Sequence, residues 1–377
     1  MGYYSGLLCA VPCDNIHGNL GRRRRRCTYV LGDSTLDVGN NNYLPGTNVP
    51  RANRPYYGVD DFPGIPTGSG RFSNGRNTAD FIAKMIGFVG SPPAYLALAS
   101  SSGLLVSAAR TTGVSYASGG AGILDSTNAG NNIPLSKQVR YFNDTRSKMD
   151  AVVGSGAVTA QLSKAFFLIG IGGNDLSTFA NAEQARNRSA AEKQSDTAAF
   201  YGGLISNYSA AITFNLASYV LIIPYMAESV QAGCLPVARV LDAAGACSQD
   251  RNQLAAGFND ALRSLLADLA ATLPDLVYSL ADSLGLMAAI FADPQASGFT
   301  DISDACCGGG RLGAEAGCSP DAALCADRDR YYFWDAVHPT QRTAMLRARA
   351  FFYDAGEAKY TTPINFEQLL HIDHRES

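Results

Sequence analysis

The chain predicts an α/β protein: a parallel sheet covered by helices on both faces. Three observations lead there. Five short apolar runs alternate with segments of helical period. The most apolar of them, Ala165 to Ile171, lacks the polar alternation of a half-exposed strand, so it reads as a central parallel strand. The segments richest in reactive side chains follow strand ends or stand before the last helix, where sites form in such folds.

Residues 27–32 are β-branched and apolar, then broken by Gly-Asp-Ser, which marks a buried strand running into a loop. Residues 39–76 hold many Asn, Gly and Pro and read as a long irregular connection. Thr78 to Ile86 is helical, with Phe81, Ile82, Met85 and Ile86 on one face. Gly113 to Ala117 is a second strand, ending in Gly-Gly. Ser136 to Phe142 starts a helix with Ser136 as its N-cap. Residues 176–215 are helical with a polar insertion. Ser218 to Ile223 is another buried strand. Asn252 to Leu269 is a long amphipathic helix, and Leu276 to Leu280 is the fifth strand. Residues 340–353 form a closing helix. Residues 1–26 read as an atypical arginine-rich leader, poorly ordered. Residues 27–377 read as one domain, with no internal repeat and no linker to divide it.

Composition is that of a globular protein: 46% hydrophobic, 17% charged, net charge −3 over 377 residues. No global basic excess points to nucleic acid. No apolar run is long enough to span a bilayer as a helix. The five arginines from Arg22 to Arg26 stand alone, with no second basic cluster, and read as a solvated leader. Six of the nine cysteines follow residue 230: Cys234, Cys247, Cys306, Cys307, Cys318 and Cys325. An even, clustered set suggests disulfides formed in an oxidising compartment. Cys234 and Cys247 bracket one loop and should pair. The other four should pair among themselves, with adjacent Cys306 and Cys307 disfavoured as partners on steric grounds. Sequons at Asn143, Asn187 and Asn207 agree with secretion, although the N-terminus lacks the apolar stretch of a signal peptide.

Four segments carry the chemistry. They are Gly32-Asp33-Ser34-Thr35, Ala117-Ser118-Gly119-Gly120, Gly172-Gly173-Asn174-Asp175 and Asp335-Ala336-Val337-His338-Pro339. Ser34 is the candidate nucleophile. Alone, a serine after a strand is ordinarily a cap or turn residue. His338 is the candidate base, because a carboxylate at Asp335 can bond Nδ1 within one turn and leave Nε2 for the serine. Pro339 suits the first position of the next helix. Gly119 and Gly120 offer backbone N–H groups, and Asn174 a side-chain amide, for an oxyanion. Asp175 holds the loop. The G-x-S-x-G elbow is absent. Gly70 to Arg76 lacks the Lys-Ser/Thr of a phosphate loop, so nucleotide binding is rejected. No metal-ligand spacing and no cofactor motif is read.

These residues resemble the plant GDSL esterase/lipase family of the SGNH hydrolases. The likeness runs from about Tyr29 to Phe352. It includes Asp37-Val38-Gly39-Asn40-Asn41-Asn42-Tyr43 and Gly70-Arg71-Phe72-Ser73-Asn74-Gly75-Arg76, besides the four segments above. The resemblance implies a flavodoxin-like three-layer α/β/α sandwich on a parallel five-stranded sheet. It implies serine esterase chemistry with Ser34 as nucleophile and oxyanion donor through its own N–H. One of Gly119 and Gly120, and Asn174, are the other donors. It also implies secretion and glycosylation. Thr35 stands where the family has Leu, Ser115 where it has Asn, and Pro224 to Ala232 departs from the usual run. The expected substrate is a small-molecule ester or lipid: an acyl lipid, or an acylated plant-wall or secondary-metabolite ester. No obligate protein partner is evident. The competing readings are an acyltransferase sharing the acyl-serine, and a catalytically silent binding protein. Tyr56, Tyr57 and Phe62 are read either as lining the acyl or sugar site or as core.

Overall fold

The computed structural model describes residue 13 and residues 26–61, 69–186, 188–215, 221–224, 232–273, 276–353 and 359–372. Five strands make the central sheet: β1 (Thr28–Gly32), β2 (Gly113–Ser115), β3 (Phe166–Gly170), β4 (Leu221–Pro224) and β5 (Val277–Tyr278). Their order is β2-β1-β3-β4-β5 and every pairing is parallel. That is the flavodoxin-like order, with its switch point between β1 and β3.

Alternation along the strands explains the three layers. Side chains point to opposite faces at every step. Tyr29 and Leu31 of β1 join Phe167 and Ile169 of β3 on one face, while Val30 joins Phe166 and Leu168 on the other. The helices divide the same way. Numbered in chain order, they are α1 (Thr78–Ile86), α2 (Tyr95–Leu98), α3 (Ser102–Thr111), α4 (Leu135–Val153), α5 (Ser155–Leu162), α6 (Gly173–Ala185), α7 (Ala190–Asn215), α8 (Pro236–Arg239), α9 (Gln249–Thr272), α10 (Ser283–Ala292), α11 (Gln341–Phe352) and α12 (Phe366–Leu370). Buried residues of α3, α4, α5, α7 and α9 cover the Tyr29 face. Those of α1, α10, α11 and α12 cover the Val30 face. Among the described residues, no helix is long and apolar enough to cross a membrane.

Short strands decorate the periphery: β6 (Leu280–Ala281), β7 (Asp301–Ala305), β8 (Cys307–Gly308), β9 (Ala323–Leu324), β10 (Tyr331–Phe333) and β11 (Thr361–Thr362). β7 pairs with β10, and β8 with β9. A third buried cluster lies here. It joins Tyr57, Phe72 and Trp334 to Cys306, Cys307 and Cys318.

Several expectations need correction. The helix expected from Ser136 begins at Leu135 and is capped by Pro134; the Ser136 hydroxyl donates to Asp125 instead, at 2.6 Å. Pro fits there because its fixed φ suits a helix entry. The expected closing helix, α11, is followed by α12 and so does not close the chain, and Pro339 precedes α11 rather than starting it. Thr340 is the N-cap, accepting from the Thr343 N–H. The polar insertion in 176–215 is the break between α6 and α7. Helices α3 and α10 were not anticipated, although Ser101 and Asp282 cap them by the ordinary rule. The disulfides pair as expected at Cys234–Cys247, and the other four resolve as Cys306–Cys325 and Cys307–Cys318. A fourth, Cys13–Cys27, was not foreseen. Of the leader only Cys13 and Arg26 are described; Arg22 to Arg25, Asn187, Phe62 and most of Pro224 to Ala232 lie outside the described residues.

Candidate active site

β1 delivers Ser34 into a tight turn. The chain must bend immediately after Gly32, where an added Cβ would stand 2.5 Å from the Gly170 carbonyl oxygen. Gln138 of α4 clamps Gly32 from both sides, accepting from its N–H and donating to its C=O, each at 2.8 Å. Beyond it the Asp33 carboxylate accepts from the Thr35 N–H at 3.0 Å and the Thr35 hydroxyl at 2.8 Å. The Thr that replaces the family's Leu therefore adds a buried hydrogen bond beside Ser34.

The second and third segments frame the same spot. Gly119 N–H donates to Asp37 Oδ2 at 3.0 Å. Asp37 Oδ1 accepts from Gly39 and Asn40, both at 2.8 Å. Burial pushes the Asp37 carboxyl up to about 6, with the Gly39 and Gly119 amides acting against it. Gly119 has no room for a side chain: its Cβ would lie 2.6 Å from the Phe72 ring. Gly120 has φ +80, the left-handed region open to glycine. Gly120 N–H meets no acceptor among the described residues. Asn174 opens α6 at the end of β3, and its Nδ2 donates to the Ala121 carbonyl at 3.0 Å. An amide nitrogen carries two hydrogens, so the second remains for a ligand. Asp175 holds the loop, accepting from Ile123 and Leu124 N–H and the Thr127 hydroxyl at 2.8, 3.0 and 2.7 Å. Burial raises its carboxyl above the ordinary range.

The fourth segment closes over Ser34 from a different part of the fold. Trp334 N–H donates to the His338 carbonyl at 2.7 Å, which folds residues 334–338 into a loop. Inside it, Asp335 Oδ1 accepts from Val337 N–H at 2.9 Å and His338 N–H at 2.7 Å. His338 Nδ1 lies 2.9 Å from both carboxylate oxygens. Burial works to raise the Asp335 carboxyl, but His338 and the two amides hold it below the usual range. His338 Nε2 then sits 2.8 Å from Ser34 Oγ. Ser34, 304 residues away in sequence, thus meets the Asp335–His338 pair.

A family model described as GDSL-like Lipase/Acylhydrolase matches residues 29–351. The chain belongs to this family. At the family level it is a carboxylic-ester hydrolase. A GDSL esterase/lipase of Arabidopsis thaliana is 36% identical over 91% of this chain and 89% of its own length. Two others from the same plant are each 32% identical, covering 92% and 93% of this chain and 85% and 92% of their own lengths.

Four residues contribute to this GDSL site through contacts that the sequence did not indicate. Phe72 lies against the His338 ring, with centroids 4.9 Å apart. Tyr57 is core, as one of the two readings had it, and its hydroxyl also donates to Asp335 Oδ2 at 2.8 Å. Asp37 holds Gly119. Arg328 reaches Asp60 with two nitrogens, pinning the Tyr57 segment to the chain that leads into β10. Tyr56 points elsewhere, its hydroxyl donating to the Pro320 carbonyl at 2.8 Å. Tyr57 and Phe72 belong to the irregular stretch, where no periodicity marks a residue's role, and Asp37 stands just before it.

Proposed function

We propose that this GDSL protein is a serine esterase working through an acyl-serine intermediate. The observation that carries the reading is the 2.8 Å contact between Ser34 Oγ and His338 Nε2, with Asp335 on the opposite ring nitrogen. His338 takes the Ser34 proton as the oxygen attacks the ester carbonyl. The resulting imidazolium protonates the departing alkoxide. Water, deprotonated by His338, then attacks the acyl-serine and releases the acid. Asp335 holds Nδ1–H and stabilises the imidazolium without accepting its proton. The oxyanion receives the N–H of Ser34, the N–H of Gly120 and the second Nδ2–H of Asn174. Gly120 takes the role in preference to Gly119, whose amide is committed to Asp37.

Acyl esters are the favoured substrates. A cavity of about 920 Å³ lies between α6, α7, α8 and α9, with Phe179, Tyr201, Leu241 and Leu254 in its walls. Phe179 is on the helix that Asn174 opens, and the Val237 N–H of α8 donates to the Ala336 carbonyl inside the acid–base loop. None of the residues lining this cavity belongs to the catalytic site, and its walls also carry Glu183, Lys193, Asp250 and Arg251, so it does not set the acyl chain length. Four disulfides support a working place in an oxidising compartment, outside the cytosol.

Turnover of p-nitrophenyl esters of increasing chain length tests the reading. Release of nitrophenol is expected, with the chain-length profile reporting the acyl group preferred, and a fluorophosphonate should label Ser34. Absence of both turnover and labelling would leave the silent binding protein. Ester products formed from an added alcohol, in place of free acid, would mark an acyltransferase.

A further inference from the structure

Asp335 accepts more hydrogen bonds than orienting a histidine requires. Two backbone amides and His338 occupy Oδ1 and the edge facing the ring. The outer side of Oδ2 is taken by Tyr57, 278 residues away in sequence, at 2.8 Å. Tyr57 is held there from several directions. It is 5% exposed, and its ring meets Phe72 and Trp334 edge-on at 6.1 and 6.4 Å. Its own segment is anchored by the Asp60–Arg328 pair and by Gly58 N–H to the Ser73 carbonyl at 2.8 Å. Burial, and then the adjacent Asp335 charge, push the Tyr57 phenol well above its ordinary range. It therefore stays a donor throughout the pH range in which an esterase works.

We propose that Tyr57 is a positioning residue of the acid–base pair: its hydroxyl holds Asp335 Oδ2 and draws negative charge away from the edge that faces His338. The inference rests on the esterase reading for its role, though not for its test. Each hydrogen bond to a carboxylate stabilises its charge. The O–H dipole also places its positive end towards the ring, which disfavours the imidazolium. Other groups face the pair. The Arg54 guanidinium lies 5.4 Å from the Tyr57 ring centre, Phe72 covers the His338 ring and Ser34 touches Nε2. None of these three donates to Oδ2.

The sign is definite. Tyr57→Phe keeps the ring packing and removes the dipole, so His338 should hold its proton to higher pH. The acidic limb of the kcat/KM profile should move up by roughly half a pH unit, a fraction of one charged hydrogen bond. kcat should fall by about threefold to tenfold with KM unchanged, because Tyr57 does not touch substrate. Replacing Tyr57 with a fluorinated tyrosine, a stronger donor of nearly the same shape, should shift the limb the opposite way. NMR titration of the His338 imidazole follows the same displacement without turnover, in the full chain with its disulfides intact. Titration curves that coincide for wild type, Tyr57→Phe and fluorotyrosine protein would overturn the proposal and leave Tyr57 as packing. An NMR displacement without any esterase activity would uphold the proposal and sink the esterase reading instead.

Discussion

The two halves of this active site are built by different means. Ser34, Gly120 and Asn174 stand at strand ends of the central sheet, and register places them. β1 pairs with β3 from Thr28↔Phe166 to Gly32↔Gly170, so the serine turn and the asparagine turn leave the sheet at one level. Asp335 and His338 belong to no strand of that sheet. They ride on a loop after β10, fastened by side chains and by crosslinks. Cys306 N–H and Cys307 N–H donate to the Phe333 and Trp334 carbonyls at 3.1 and 2.7 Å, and both cysteines are disulfide-bonded. Sheet register is cooperative and costs nothing extra at the site. A peripheral loop has no such support and must be tied down contact by contact.

Removing chemistry from the serine half should give the largest effect. Ser34→Ala should lower kcat by on the order of 10⁴-fold, since no acyl-enzyme can form. Asn174→Ala should cost on the order of 10²–10³-fold, because two backbone donors remain. Both variants should fold normally, as neither side chain sets the sheet register. Steady-state kinetics with circular dichroism checks this. An Asn174 loss equal to the Ser34 loss would mean that the oxyanion donors are not shared as assigned.

The same contrast decides what could be read from sequence. Ser34, Asn174 and the Asp335–His338 pair were legible because each lies in a short segment whose neighbours dictate its geometry. Three residues from carboxylate to imidazole is one turn, whatever the fold. β1 and β3 were legible because burial on both faces removes most polar residues from them. Tyr57, Phe72 and Asp37 were not legible. Their functions consist of contacts across the fold; Tyr57 and Phe72 lie in residues 39–76, which offer only turn formers as local signal, and Asp37 stands just before that stretch. Cys13–Cys27 escaped for a related reason: the clustered cysteines drew the pairing argument, and no spacing tied the early ones to the strand. The hydrogen bond from the Gly119 amide to Asp37 was likewise not legible, because it is a tertiary fact.

Disulfides offer a test of intermediate size. Replacing Cys307 and Cys318 by Ala should cost about 2–4 kcal/mol, by the loop-entropy account. Replacing Cys13 and Cys27 opens a loop of similar length, with separations of 14 against 11, and should cost a similar amount. Only the first pair lies behind Asp335. Cys27 precedes β1 at the end away from Ser34. The Cys307/Cys318 variant should therefore also lose kcat, by about tenfold or more, while the Cys13/Cys27 variant keeps most of it. Denaturant melts and kinetics on both would decide. Equal kcat for the two variants would show that the acid–base loop holds its shape without the crosslink.

The smallest expected effect concerns pH, and here the halves carry opposite signs. Asp37, behind the serine half, has its carboxyl raised to about 6 by burial. An unfolded aspartate titrates near ~3.9. Between those values the native state binds the proton more tightly, so Asp37 gains stability for the fold as pH drops through that window. Above it, the buried charge is a cost. Asp335, in the histidine half, is lowered by His338 and two amides despite its burial. Its contribution is present above the unfolded value and is lost as pH falls through the lower folded value. Protein taken from neutral pH towards pH 4 should therefore be supported at Asp37 before it is undermined at Asp335. Asp37→Asn should abolish the first change. The difference in unfolding free energy between wild type and Asp37→Asn should grow by on the order of 1–3 kcal/mol between about pH 6 and pH 4, in favour of wild type. Urea unfolding of both proteins across that range measures it. A difference that stays constant would mean that Asp37 titrates as an exposed carboxylate does. Its hold on Gly119 would then no longer support the proposal of Gly120 as the oxyanion donor.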